Sequence, residues 1–123
     1  MGNKLIMVID DSRSLREVVR IALVSAGYEV VEAEDGADAL AKLGDRKFHL
    51  MICDVNMPVM DGITFVRKLK QEPRHRFVPI IMLTTETREN RKLEGQQAGA
   101  RAWVVKPFRP EQMLQAVSKL ILP

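Results

Sequence analysis

Four apolar runs in this chain each end on a polar residue, and that pattern limits what the chain can fold into. Leu5-Ile6-Met7-Val8-Ile9 runs into Asp10-Asp11, and Leu50-Met51-Ile52-Cys53 runs into Asp54. Ile80-Ile81-Met82-Leu83 runs into Thr84-Thr85, and Trp103-Val104-Val105 runs into Lys106-Pro107. Short continuous apolar runs separated by helical patterns read as parallel strands buried on both faces. In a sheet of that kind the carboxyl ends of the strands share one edge, and ligands bind there. Three carboxylates, a hydroxyl and an ammonium are therefore expected to converge on one small site.

The segments between the runs complete an alternating α/β pattern. Leu15, Val18, Val19, Ala22 and Leu23 fall at helical spacing. Ser14 and Glu17 have the spacing of a capping box, and Gly27 marks a stop. Glu29-Val30-Val31-Glu32-Ala33 is a strand with polar interruptions, which places it at a sheet edge. Asp35-Gly36 reads as a turn, and a short helix then runs through Leu40 and Leu43 to Gly44. Gly62, Phe65, Val66 and Leu69 line one face of a third helix. A fourth helix, from about Glu89 to Ala98, carries little apolar surface and is expected to be loosely held. Pro110 opens a fifth, with Met113, Ala116, Val117, Leu120 and Ile121 inward. Five strands alternating with five helices make a three-layer α/β sandwich with right-handed crossovers.

Bulk properties exclude several classes. The 123 residues suit one domain spanning 1–123. No apolar stretch approaches the roughly 20 residues needed to span a bilayer, so no membrane insertion is expected. The first residues lack signal-peptide character, and one cysteine permits no internal disulfide, so a cytoplasmic location is expected. The net charge of +3 is dispersed, with Arg74-His75-Arg76 the densest cluster, and does not point to nucleic acid.

The clustered acids point to chemistry. Two adjacent carboxylates with a third at another strand end suit a hard divalent cation such as Mg2+. Asp11 and Asp54 are candidate direct ligands with the Asn56 carbonyl, and Asp10 a holder of metal-bound water. The alternative, that Asp10 or Asp11 only caps a helix, needs one acid rather than three. Asp54 ends a buried strand before an irregular loop, so its carboxylate is expected to be presented for attack on phosphorus. Thr84 could donate to a bound phosphoryl group, and Lys106 could neutralise it. Cys53 reads as a core residue and His49 and His75 as surface residues. Met57 and Met60 flank the site.

Asp10-Asp11, Asp54 with Met57-Pro58 and Asp61-Gly62, Thr84, and Lys106-Pro107-Phe108 together resemble the receiver domain of two-component response regulators, across essentially the whole chain. The resemblance implies a flavodoxin-like five-stranded parallel sheet in the order 2-1-3-4-5. It implies that Asp54 accepts phosphate from a histidine kinase and that Asp10, Asp11, Asp54 and the Asn56 carbonyl form a magnesium site. Lys106 would pair with the phosphoryl group, Thr84 and Trp103 would be the switch residues, and the Lys106-Pro107 bond would be cis. Such a protein catalyses only its own phosphotransfer and slow self-dephosphorylation. Signals would leave through the face made by the fourth helix, fifth strand and fifth helix.

Within the family the chain looks most like the single-domain chemotaxis type, on Asn56, Glu86 and the segment Ala98 to Phe108. That implies a chemotaxis kinase as donor, a flagellar motor switch protein as target, and a phosphatase as a further partner. The chain stops after the last helix, so output through a protein contact is expected. Two residues depart from the family pattern. Trp103 stands where Tyr or Phe is usual, and its N–H donates but cannot accept; its alternative role is a plain surface-strand aromatic. Thr85 stands where a small residue is usual and narrows the pocket mouth. The competing functions are a phosphate relay or sink with the same site, a magnesium-dependent aspartyl phosphohydrolase, and a degenerate receiver used as a scaffold. Haloacid-dehalogenase-type hydrolases need a second Asp two residues after the nucleophile, and here that position is Asn56.

Overall fold

Five strands alternate with helices along the chain. The structure, a computed structural model, describes residues 4–85 and 98–121. The strands are β1 (Leu5–Ile9), β2 (Glu29–Ala33), β3 (Leu50–Asp54), β4 (Ile80–Thr84) and β5 (Ala102–Val105). The helices among the described residues are α1 (Arg13–Ser25), α2 (Gly36–Lys42), α3 (Gly62–Lys70) and α4 (Pro110–Leu120). The helix expected from about Glu89 to Ala98 lies outside the described residues, apart from Ala98, which is buried. The strands form one parallel sheet in the order β2-β1-β3-β4-β5, as the family resemblance implies.

Strand alternation sorts the core into two layers. Met7, Ile9, Met51, Cys53, Ile80 and Met82 point to one face and pack with Ala39 of α2 and Phe65, Val66 and Leu69 of α3. Ile6, Val8, Leu50, Ile52, Ile81 and Leu83 point to the other, against Val19 and Leu23 of α1 and Met113 and Val117 of α4. Every residue of β3 and β4 is buried, which is why their sequences read as unbroken apolar runs. β2 lies at an edge, as its polar interruptions predict.

Local chemistry corrects two helix starts and the facing of one residue. The N-cap of α1 is Ser12 rather than Ser14: its Oγ accepts the Leu15 N–H at 3.3 Å. A hydroxyl one residue before the first helical turn reaches the unpaired amides, and Ser14 already lies inside the helix. Asp35 is an N-cap rather than a free turn residue, with its Oδ1 accepting from the Asp38 N–H at 2.8 Å. Val18 falls on the outer side of α1 and stands exposed beside Ile21 and Val24. The last helix starts at Pro110, whose missing N–H costs nothing in a first turn.

Candidate functional site

Register determines which strand ends meet. β3 lies between β1 and β4, with Cys53 opposite Ile9 and Asp54 opposite Leu83. Asp10, just past β1, is therefore brought beside Asp54 at the end of β3, and Thr84 lies one residue past the partner of Asp54. Asp10, Asp11 and Asp54 each offer a carboxylate oxygen, and these oxygens lie within 4.8 Å of one another.

Asp54 is buried, contrary to the expectation of a presented carboxylate. The reason lies in the loop that follows it. The Val55 N–H continues the ladder to the Leu83 carbonyl at 2.9 Å, and the chain then doubles back until the Gly62 N–H donates to the Val55 carbonyl at 2.8 Å. Gly62 sits so close that a Cβ there would lie 2.1 Å from the Asp54 carbonyl oxygen. Asp61 caps α3 by accepting the Thr64 N–H at 2.8 Å, which starts the helix at that close approach. The fold-back leaves little solvent around the acid.

Burial, and next the negative charge of Asp10, push the Asp54 carboxyl up to about 6, while Lys106 works against both. The Lys106 Nζ lies 2.9 Å from Asp10 Oδ2 and 3.3 Å from Asp54 Oδ1. Burial disfavours the Lys106 ammonium, but the hydrogen bond and charge of Asp10, with Asp54 behind them, hold it above the ordinary lysine range. Its backbone is tied as well, the N–H donating to the Thr84 carbonyl at 2.7 Å, and the Lys106-Pro107 bond is cis as the resemblance implies. Asp10 is fully buried, with Oδ1 accepting the Ser12 N–H at 2.8 Å, whereas Asp11 is exposed. A set of carboxylate oxygens this close, one of them facing solvent, fits a hard divalent cation. Among the described residues, one ammonium is ion-paired to this cluster of three carboxylates.

The remaining sequence candidates are distributed as follows. Thr84 is fully buried at the end of β4, and Thr85 beyond it is exposed. Asn56 lies exposed in the loop after β3. Trp103 pairs with Met82 in register, below the level of the acids, and packs half-buried against the α2/α3 core layer. It is thus more than a surface aromatic. Glu86 lies outside the described residues. Met57 and Met60 pack against the same core layer, and Cys53 is buried with its thiol pushed well up by burial. The expectation of surface histidines fails for His75, which is buried near Phe48 with ring centroids 6.3 Å apart. His49 is half-buried, and its Nδ1 accepts the Leu5 N–H at 3.0 Å. A lone His in a polar loop carries no periodic signal that would reveal its burial.

Two residues at the site escape sequence reasoning. Gly62 appears in the sequence as part of a helix face, whereas its missing side chain is what lets the loop close on Asp54. Arg16 reads as one more solvated helix charge, whereas its Nη1 donates to the Asp10 carbonyl at 2.6 Å. The Asp-Gly pair could have flagged the first as a helix start; nothing in the spacing flags the second.

Comparison with known proteins agrees with this geometry. Residues 6–118 match the family model for the response regulator receiver domain. The chain is 36% identical over 121 residues to the phosphate regulon transcriptional regulatory protein PhoB of Pseudomonas aeruginosa, covering 98% of this chain but 53% of that protein. The chain thus spans about half the length of that relative. It is 37% identical over 119 residues to chemotaxis protein CheY1 of Helicobacter pylori, covering 95% of each. The structure of chemotaxis protein CheY4 of Vibrio cholerae superposes with a TM-score of 0.93 at 44% identity, over 97% of this chain and 99% of that one. A receiver domain of a Pseudomonas aeruginosa sensor histidine kinase, solved with magnesium coordinated in its active-site cleft, superposes at 0.89 with 26% identity, over 98% of each chain. On the matched model, the shared sheet order and the acid cluster at the strand ends, the chain belongs to the response regulator receiver family.

Proposed function

We propose that the chain is a phosphorylation-activated switch in which Asp54 accepts a phosphoryl group from the phosphohistidine of a histidine kinase. The observation that carries this reading is the Asp54 carboxylate, grouped with those of Asp10 and Asp11 and 3.3 Å from the Lys106 ammonium. In the transfer, an Asp54 oxygen forms a bond to phosphorus as the phosphorus–nitrogen bond breaks, and the histidine nitrogen keeps the electron pair. Asp11 and Asp54, with the Asn56 carbonyl, would hold Mg2+, and Asp10 would hold its water. When bound, the cation neutralises charge on Asp54 and the incoming group. Lys106 then exchanges one anion for another, moving its ion pair from Asp10 toward the phosphoryl oxygens. Thr84, from the neighbouring strand end, donates to them.

Phosphorylation adds roughly −1.5 to −2 charges. That charge draws on Lys106 and Thr84, and through the bond from the Lys106 N–H to the Thr84 carbonyl it biases β5, Trp103 and α4. The similarity to CheY proteins over nearly the full length of each supports a cytoplasmic chemotaxis role, with a flagellar motor switch protein as target and a phosphatase as a further partner. The match to about half the length of PhoB, a transcriptional regulatory protein by name, supports the second reading, a switch, relay or sink with a different output.

Treatment with acetyl phosphate and magnesium, followed by mass spectrometry, tests the acceptor. One labile phosphoryl group is expected on the wild type and none on Asp54→Asn. Stable labelling of a serine or threonine sinks the assignment. Turnover on phosphoesters, rather than slow single-turnover hydrolysis, would indicate a phosphohydrolase. A pull-down with and without beryllofluoride separates the outputs: activation-dependent capture of a motor switch protein supports chemotaxis, and capture of a second phosphotransfer domain supports the relay.

A further inference from the structure

Asp10 is held at each of its polar groups by a different part of the fold. Its N–H donates to the Ala33 carbonyl at the end of β2, at 3.1 Å. Its Oδ1 accepts from the Ser12 N–H and its Oδ2 from Lys106. Its carbonyl oxygen accepts from Arg16, one turn into α1, at 2.6 Å. That carbonyl belongs to the Asp10–Asp11 peptide unit, so its orientation sets where the exposed Asp11 carboxylate points.

Arg16 is itself held in place. Its Nε lies 3.2 Å from Glu32 Oε1, and its side chain is only 14% exposed. The other oxygen of Glu32 is taken by Arg20, one turn further along α1, at 3.3 Å. The Glu32 backbone is fixed too, since its carbonyl accepts from the Lys42 Nζ at 2.8 Å. The polar interruption at Glu32 therefore has a use beyond marking an edge strand. It fixes one side of a planar guanidinium so that the other side meets the Asp10 carbonyl. An ammonium has no such fork and cannot keep both contacts in that geometry.

We propose that Arg16, braced by Glu32, is a positioning residue for the cation site: it fixes the Asp10–Asp11 peptide and so sets Asp11 for metal binding. It rests on the reading of Asp10, Asp11 and Asp54 as a magnesium site. Partners that orient ligands from behind tune metal affinity roughly 10- to 100-fold. Arg20 shares the carboxylate but makes no contact with Asp10, which makes it the matched control.

Magnesium is titrated into the full chain and followed by backbone amide NMR, in parallel with the magnesium dependence of phosphorylation by acetyl phosphate. Arg16→Ala is expected to weaken magnesium about tenfold. The half-saturating magnesium for phosphorylation should rise by the same factor, with the rate at saturating magnesium nearly retained. Arg20→Ala is expected to bind magnesium like the wild type. Arg16→Lys keeps the charge and serves if the alanine variant does not fold; it should weaken magnesium several-fold. Wild-type affinity in a folded Arg16 variant overturns the proposal, as does equal weakening by Arg20→Ala, which would reduce the effect to general loss of an ion-pair network. A wild-type protein that takes up no magnesium at all overturns the cation-site reading instead, which keeps the two failures apart.

Discussion

Strands β4 and β5 run side by side in the same direction and share one hydrogen-bond ladder, yet they differ in what surrounds them. Every residue of β4 is buried, whereas no residue of β5 is, and Val105 at its end is 42% exposed. β4 has a neighbour on each side, and β5 has one. Each delivers a residue to the site, Thr84 from the first and Lys106 from just past the second. Asp54 and Thr84 thus come from strands flanked on both sides, while Lys106 comes from just past an edge strand. An edge strand whose own residues are partly solvated has lower local stability, which suits the signal-reporting role proposed for it. The bond from the Lys106 N–H to the Thr84 carbonyl at 2.7 Å joins the two regimes.

The largest difference between centre and edge is expected at Gly62. A methyl group there meets the backbone of Asp54 at 2.1 Å, and a backbone cannot swing aside as a side-chain tip can. Gly62→Ala is expected to cost about 3 kcal/mol or more, at the top of the range for overpacking. Val105→Ala, at the exposed edge, should cost well under about 1 kcal/mol. Urea unfolding of both variants checks this, and similar losses would show that the centre is no more rigid than the edge.

Next in size is Asp11→Ala. The change removes an exposed side chain, so folding should be unaffected. Phosphorylation by acetyl phosphate should fall by about a hundredfold, because metal neutralisation contributes several kcal/mol to such transfers. A normal rate would refute the assignment of Asp11 to the cation site.

How far the sequence reaches follows the same division. The central strands were legible because burial on both faces leaves no reason for polar residues, so β1, β3 and β4 appear as unbroken apolar runs ending in the site residues. Their parallel pairing then brings Asp10, Asp11 and Asp54 together, as the runs predicted. The order of the strands came through family resemblance, not from periodicity. The sequence said less where backbone geometry decides. The burial of Asp54 depends on a loop closing through Gly62, and a glycine's missing side chain leaves no pattern. The cap at Ser12 instead of Ser14 turns on a single residue of phase. Arg16 and Glu32 look like ordinary solvated charges because a side-chain bond to a distant carbonyl has no sequence period.

The buried acid should also give a pH signature confined to the centre. In metal-free protein Asp54 keeps its proton up to about pH 6, whereas in the unfolded chain it loses it near pH 4. Between those values the folded state binds more protons, so stability falls as pH rises through this window. The loss is on the order of 2–3 kcal/mol and complete above about pH 6. Asp54→Asn has no such proton to lose, and its stability should be flatter from pH 4 to 6. The same slope in both proteins would place the titrating group elsewhere. Phosphorylation, which runs with magnesium bound, should decline on acidification as the nucleophile protonates, and at a pH below about 6 because the cation favours the carboxylate.

The smallest expected effect lies at the edge, and it tests whether β5 reports the state of the centre. Trp103 is the one tryptophan in the chain and lies three residues before Lys106, half-buried against the α2/α3 core layer. Pulling Lys106 from Asp10 toward a phosphoryl group should alter β5, and with it the surroundings of the indole. Wild-type fluorescence is therefore expected to shift when beryllofluoride is added to magnesium-loaded protein, because the indole is half-buried and its packing would change. Lys106→Arg keeps the positive charge but replaces a compact ammonium with a planar fork. Asp54 should still be phosphorylated in this variant, while the fluorescence shift is blunted and partner capture weakens. A magnesium-only control separates metal binding from activation. If Lys106→Arg transmits as the wild type does, charge alone couples the acid cluster to β5 and the shape of the ammonium is irrelevant. If the wild type shows no change in fluorescence, amide exchange or partner affinity, the switch reading fails, although the phosphorylation chemistry can stand.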